Sequence, residues 1–453
     1  MHNPSSNPSH NPIQALAADP QGTAERLAGL PTVAGVQVAC LNAGKLTVGT
    51  AGVADVASRE PVTGATRFRI GSITKLLTAD LVVCGVQAGR LRLDDPVGRF
   101  LPGVREGVLV GHLLSHSSGL DAGDLFVDTG DGDDAIARYA EMVRSAGSLF
   151  SPGATFSYCN GGFALAGRLA EVVLGQPWRA AMRTLVFDEA GLAETDFVTG
   201  TAAEHDLGTA RGHTVRDGDL IALPRRIDNP MCTRGLDPAG GTLVSTAADL
   251  GRFLRWHLDS PGTEVMRTLH APAPGGVPTM LGAGLGWMVW ANAAQTSVRI
   301  GGANPGQSGI LAADPISGTA VVVLTNSDQG INAVNALLDA PGPIPSGVTE
   351  AAPVDLSHYA GRYTSHALTI EITTAGGGLL VRAPGHPDIA LAPRDRQTFD
   401  SPAGPIAFLD FDDQGVPTLL RWRMRVMRRI MPGDSTRQLA SGVDASSVAE
   451  MGG

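Results

Sequence analysis

Two groups of short apolar runs with strand character bracket residues 30–330, and helical patterns fill the span between them. Residues 33–40 (VAGVQVAC) and 45–53 (KLTVGTAGV) flank the turn Asn42-Ala43-Gly44 and predict a hairpin. Residues 285–291, 296–301, 307–313 and 319–325 are apolar runs bounded by Gly, Asn and Asp, which predicts consecutive antiparallel strands. A helix is expected over 72–89, with Leu76, Leu77, Leu81 and Cys84 on one stripe. Further helical patterns cover about 133–146 and 161–175, and Thr246 with Asp249 marks a helix start. Strands at both ends with helices between them predict a single sheet built from both ends of this region and flanked by helices, an α/β (α+β) architecture.

The flanks read differently. Residues 1–22 are rich in Asn, Pro and Ser and lack the charged and apolar regions of a secretory leader, so they are expected to be a disordered tail. The main domain is then expected over 23–340. A Pro/Gly-rich break at 341–354 reads as a linker. Residues 355–441 are strand-rich, and 442–453 read as a loose tail. Within the strand-rich region Leu420, Trp422, Met424 and Val426 alternate with Arg421, Arg423 and Arg425, a period-two pattern. The basic face is expected to be solvated, with contact to an anionic substrate as the alternative.

Apolar residues make up 43% of the chain and charged residues 17%, which excludes an intrinsically disordered protein. A net charge of −10 disfavours nucleic acid as a partner. No run reaches the length of a membrane span, so a soluble cytoplasmic protein without a membrane partner is expected. Cys40, Cys84, Cys159 and Cys232 are scattered and form no CxxC pair, so reduced thiols are expected and no metal site is assigned. The Asp-rich stretch 121–134 lacks the order of a calcium loop and reads as solvated.

Three segments carry chemistry. In Arg69-Ile70-Gly71-Ser72-Ile73-Thr74-Lys75, the serine and lysine are three residues apart at a helix start and therefore share one face. Lysine occurs only at positions 45 and 75, while arginine supplies the rest of the positive charge. Lysine can shed its proton when desolvated and arginine cannot, so Lys75 fits a base for the Ser72 hydroxyl. The second segment, Phe150 to Asn160, holds Tyr158 and Asn160, a candidate proton relay and a hydrogen-bonding partner for the Ser–Lys pair. The third, Arg299-Ile300-Gly301-Gly302-Ala303-Asn304, has glycines on an expected strand, where backbone approaches a ligand closely. An N–H there, with that of Ser72, could bind an oxyanion.

With FRIGSITKLLTA, HLLSHSSGL, SPGATFSYCNGGFALAGRLAE, AGGTLVSTAADLGRF and GLGW in this order, the chain resembles the serine β-lactamase-like hydrolases, in the branch of class C β-lactamases, DD-peptidases and esterases. The resemblance implies the β-lactamase/penicillin-binding-protein-like antiparallel sheet with an all-helical subdomain. It makes Ser72 the acylated nucleophile, Lys75 its base, Tyr158 a second proton-transfer group and Asn160 an orienting residue for Lys75. It assigns the oxyanion hole to the N–H groups of Ser72 and Ala303 and the cleft wall to Ile300, Gly301 and Gly302. It implies no metal and no organic cofactor. The family's Lys or His of the third motif is replaced by Ile300, which argues against ordinary β-lactamase activity. Arg299 is expected on the opposite face of that strand. Cys159 stands where serine or alanine is commoner and is expected as a small buried filler, and His112 and His116 as packing residues. Residues 355–441 resemble the small lipocalin-like β-barrel that follows this hydrolase in some members. Three functions remain open: a serine hydrolase acting on a small-molecule ester or amide, an acyltransferase passing the same acyl group to an amine acceptor, and a non-catalytic binding protein.

Overall fold

A computed structural model describes residues 11–198, 208–224, 229–277, 279–291, 296–339, 355–431 and 434. Nine strands form one antiparallel sheet: β1 (Gly35–Asn42), β2 (Lys45–Asp55), β3 (Glu60–Pro61), β4 (Ala271–Pro272), β5 (Met280–Ala283), β6 (Met288–Ala291), β7 (Thr296–Asn304), β8 (Gln307–Ala313) and β9 (Ala320–Thr325). Their order is β3-β2-β1-β9-β8-β7-β6-β5-β4. The early hairpin therefore joins the late strands through β1 and β9, with Val36 opposite Thr325 and Leu41 opposite Ala320. This is the sheet from both ends of the region that the strand signals require.

The central strands are apolar on both sides, because both sides are covered. Val36, Val38, Val321 and Val323 point into one core, and Ala39, Leu41, Val322 and Leu324 into the other. The first core is closed by α1 (Pro12–Ala18) and α2 (Pro20–Ala28). These helices correct the expectation of a tail over 1–22. Asn-Pro and Asp-Pro, taken as tail composition, are helix starts: Asn11 accepts from Ile13 N–H, Asp19 accepts from Gly22 N–H, and each proline occupies the first turn, where its missing N–H costs nothing. Ile13, Leu16 and Leu27 are buried on the sheet, each contributing about 1.5–3 kcal/mol. Residues 1–10 lie outside the described residues, as do the expected linker 341–354 and tail 442–453.

The second core holds α3 (Thr74–Gln87), α4 (Ala135–Arg144), α5 (Asn160–Leu174) and α6 (Ala247–Asp259), while α7 (Gly330–Leu338) lies on the first-core side. Thr246 accepts from Asp249 N–H at the start of α6, as its sequence predicts. Helix α3 is buried almost all round rather than along one stripe, so it runs through the core and whatever it carries is dry.

The C-terminal region is a closed eight-stranded barrel: β10 (Gly361–Thr364), β11 (Thr369–Ala375), β12 (Gly378–Arg382), β13 (Ile389–Pro393), β14 (Thr398–Asp400), β15 (Ile406–Phe411), β16 (Pro417–Trp422) and β17 (Arg425–Arg429). Closure of β10 on β17 leaves no free edge. Tyr359, Tyr363, Phe399 and Phe408 pack edge to face inside it. The alternating run 420–426 is not one strand but a tight hairpin. Trp422 pairs with Arg425 around Arg423, whose φ of 54° makes the turn. The basic face is not uniformly solvated either: Arg423 is exposed, Arg425 half-buried and Arg421 fully buried.

Candidate active site

A 3₁₀ turn, Gly71–Ile73, leads into α3 and presents Ser72, which is half-buried, above Lys75, which is fully buried. The three-residue spacing brings Lys75 Nζ to 2.9 Å from Ser72 Oγ. Lys75 also donates to the Ala239 carbonyl. Burial pushes the Lys75 amine well below the ordinary lysine range, and the positive charge of Arg425 pushes it further. Both effects disfavour the ammonium form of Lys75 beside the serine hydroxyl.

The turn is fixed by close backbone approach. Gly71 has φ 50°, and a Cβ there would meet the Ala303 backbone at 2.6 Å. A Cβ on Gly302 would lie 2.0 Å from the Ile70 carbonyl, and one on Gly240 would lie 2.4 Å from the Gly71 backbone. Strand β7 pairs with β6 only as far as Arg299, so residues 300–304 run on beside the Ser72 turn with one backbone edge free of β6. Ala303 is exposed at this place.

Tyr158 approaches from a short extended segment ahead of α5. Its hydroxyl interacts with Ser72, and its ring lies 4.9 Å from Lys75 Nζ. Burial pushes the phenol up to about 12, against the opposing pull of Ser72 and of the Arg425 charge, so it stays protonated at neutral pH. His116 stacks on the same ring, with centroids 4.3 Å apart. The imidazole accepts the Cys159 N–H through Nδ1, and burial holds it well below the ordinary histidine range, so it is a neutral plate.

The structure thus brings Ser72, Lys75, Tyr158 and the Ala303 backbone together, and it corrects other expectations. Asn160 does not hydrogen-bond Lys75. Its amide goes to Gly123 O, and the lysine takes Ala239 O instead. Ile300 is not on the cleft wall but in the core with Ile73 and Leu311. Gly301 faces Ile331 of α7, so of the three residues expected there only Gly302 lies against the Ser72 turn. Arg299 points away from the site, to Asp339 and Leu338 O, as strand alternation predicts. Cys159 is more than filler, because its Sγ accepts Gly162 N–H and caps α5. His112 accepts Leu109 N–H at a helix start, a structural role. In the Asp-rich stretch only 128 and 130–134 are exposed. Asp124 pairs with Arg425, and Asp121 accepts His366 N–H, both from the barrel.

Sequence reasoning missed Ala239 O as the lysine's partner and the contact of Arg425 with Tyr158, while His116 packs as expected, on the Tyr158 ring. Neither missed contact had a signal beyond the Arg alternation, because each joins distant parts of the chain. Between the two regions a hollow opens, lined by Asp121, Gly123, Asp124, Tyr158, His366 and Arg425. Among the described residues no group of three or more His, Cys, Asp or Glu is placed to hold a metal, and no helix is long and apolar enough to cross a membrane.

A family model described as Beta-lactamase matches residues 23–340. Penicillin-binding protein 4 of Amycolatopsis lactamdurans is 36% identical over 286 residues, covering 58% of this chain and 73% of that protein. Esterase EstB of Burkholderia gladioli is 30% identical over 243 residues, covering 47% of this chain and 62% of that protein. The crystal structure of SurE matches with a TM-score of 0.74 and 28% identity over 92% of this chain and 99% of that one, and SurE has also been solved with D-Leu.

Proposed function

We propose, from the premise that the chain belongs to the beta-lactamase family, that it is a serine hydrolase forming an acyl-enzyme on Ser72 from an ester or amide. The observation that carries this reading is the Ser72 Oγ–Lys75 Nζ contact of 2.9 Å, made by a lysine that burial drives toward its neutral form. Ser72 gives its proton to Lys75 as Oγ bonds to the acyl carbon. The N–H groups of Ser72 and Ala303 receive the oxyanion, an arrangement worth about 3–4 kcal/mol for each donor at the transition state. Tyr158, protonated, delivers a proton to the leaving group as its bond to carbon breaks, and is reprotonated through Lys75. Water then attacks the acyl group by the reverse proton route, restoring Ser72. Asn160 acts at a distance, by holding Gly123 beside this cluster.

A second reading, transfer of the acyl group to an amine instead of water, is supported by the likeness to SurE over nearly the whole chain. SurE has been solved with D-Leu, an amino acid that carries an amine. The test is intact-protein mass spectrometry after mixing with p-nitrophenyl and methyl esters and a fluorophosphonate, with Ser72→Ala as control. An adduct on the wild type that is missing in Ser72→Ala is expected. Absence of any adduct overturns the acyl-enzyme reading. Amide product on adding an amine selects transfer over hydrolysis.

A further inference from the structure

The segment that carries Tyr158 is bonded to the barrel more than to its own domain. Tyr158 N–H donates to Met424 O, and the Ser157 hydroxyl accepts Val426 N–H. Arg421 donates to Phe156 O and to the Thr155 hydroxyl, and Arg425 donates to Tyr158 O. Four consecutive residues, 155–158, are thus gripped by the single hairpin β16–β17. Arg425 does more than hold backbone. Its guanidinium lies 5.2 Å from the centroid of the Tyr158 ring, and its other end is fixed by Asp124 of the hydrolase domain. Arg421, by contrast, is fully buried on backbone carbonyls and one hydroxyl, with no ring contact. The two arginines therefore split the work: Arg421 anchors the hairpin, and Arg425 reaches the functional group.

We infer that the barrel sets the position and the charge environment of the catalytic tyrosine, with Arg425 as the positioning residue that acts through Tyr158. The inference rests on the acyl-enzyme reading above. The groups facing Tyr158 are Ser72 and Lys75 from the nucleophile helix, His116 from the loop after the short helix Val110–Leu114, Cys159 from its own segment, Asp124 from the loop before α4, and Arg425 from the barrel. Arg425 is the cation brought in from outside the hydrolase domain. Its charge favours the phenolate and disfavours the lysine ammonium, so it lowers the proton affinity of both. A barrel that merely covered the cleft would not need a charge at the tyrosine ring.

The experiment uses the full chain and four proteins: wild type, Arg425→Gln, Arg425→Lys and Arg421→Met. Ser72 labelling by a fluorophosphonate, which forms an Oγ–P bond and releases fluoride, first establishes that the serine is active. If the wild type does not label, the acyl-enzyme reading falls and this inference with it. Next, kcat and KM are measured across pH for a methyl ester, whose leaving group needs a proton, and for a p-nitrophenyl ester, whose leaving group does not. Arg425→Gln is expected to lower kcat on the methyl ester by about 10–100-fold, with a loss of only a few-fold on the p-nitrophenyl ester. The acid limb of its profile should move to higher pH, because Lys75 loses a neighbouring cation. Arg425→Lys keeps the charge, so it should restore the profile while recovering only part of kcat, and it carries the test should Arg425→Gln fail to fold. Arg421→Met should melt earlier with an unmoved pH profile. Equal losses on both esters with an unmoved profile, or a higher KM with kcat intact, would overturn the proposal in favour of a purely structural or a substrate-contacting arginine.

Discussion

Ser72 and Lys75 are set by one local segment, three residues apart across the 3₁₀ turn and the first turn of α3, whereas Tyr158 reaches them from a segment whose carbonyl is held by Arg425, 267 residues further along. The first half of the site is local and rigid. Its geometry follows from helix pitch, and its lysine is dry because α3 is buried almost all round. The second half is assembled from a histidine, a stretch of loop and a second folding unit. The difference teaches that the two halves can be adjusted separately. Ser72 and Lys75 are held within the hydrolase domain itself, whereas Tyr158 is also held by contacts from the barrel.

The comparison breaks most severely at the local half. Lys75→Met keeps the apolar packing and removes the base, so acylation should fall by about 10³–10⁴-fold, read as the rate of adduct formation by mass spectrometry. Lys75→Arg should be as poor, because arginine holds its proton. In the wild type the sign of the pH dependence follows from the lowered Lys75 proton affinity. Activity should fall as pH drops through that lowered value, where the amine becomes an ammonium, and should be retained above it. A rate flat through the acid range would contradict a lysine base.

The strand behind the nucleophile gives the next largest effect. A methyl group on Gly302 would stand 2.0 Å from Ile70 O, so Gly302→Ala should push β7 away from the Ser72 turn and spoil the oxyanion site. A loss of about 10²–10³-fold in kcat is expected, together with a lower melting temperature. Unchanged kcat would mean that Ala303 is not a donor. Of intermediate size is Arg421→Met at the barrel interface. Three acceptors, Pro274 O, Phe156 O and the Thr155 hydroxyl, would lose their donor at about 1–3 kcal/mol each. Relief of a buried guanidinium, which burial lowers to about 10, offsets part of that. A net destabilisation of about 2 kcal/mol by urea unfolding is expected. A more stable variant would show that the charge, not the hydrogen bonds, dominates there.

How much of this was legible in the sequence follows the same division. The sheet from both ends, the helix bearing Ser72 and Lys75, and the turn of Arg299 away from the site are consequences of period-two and period-3.6 patterns, which act over a few residues. The early helices were missed because Asn-Pro and Asp-Pro serve both as loop signals and as helix caps, and only the buried faces of Ile13, Leu16 and Leu27 decide between them. Ile300 was misplaced for a related reason. It shares the Gly302 face of β7, but it lies further along the strand, where that face is covered by the core. The solvated reading of Arg421 and Arg425 failed because alternation reports two faces without saying what covers either one. Met424 and Arg423 form a turn rather than a strand position, and that too depends on pairing between Trp422 and Arg425.

The smallest effect sharpens the boundary between the two halves at Cys159, the residue that joins Tyr158 to α5. Its sulfur accepts Gly162 N–H at 3.3 Å and so occupies the place of a helix N-cap, while its own N–H goes to His116 Nδ1. The backbone contact survives any side-chain change; the cap does not. Cys159→Ser keeps an acceptor at the cap, with a better hydrogen-bonding atom in a slightly smaller volume, so stability should stay within about 0.5 kcal/mol of wild type. Cys159→Ala leaves Gly162 N–H buried without a partner and should cost about 1 kcal/mol. Both variants keep the His116 contact and the barrel grip on Tyr158, so kcat should change by less than about two-fold in each. A large loss of kcat in the alanine variant, with only the expected loss of stability, would show that the start of α5 steers the tyrosine as strongly as the barrel does, and the division between a local half and a barrel-held half would have to be redrawn at this residue.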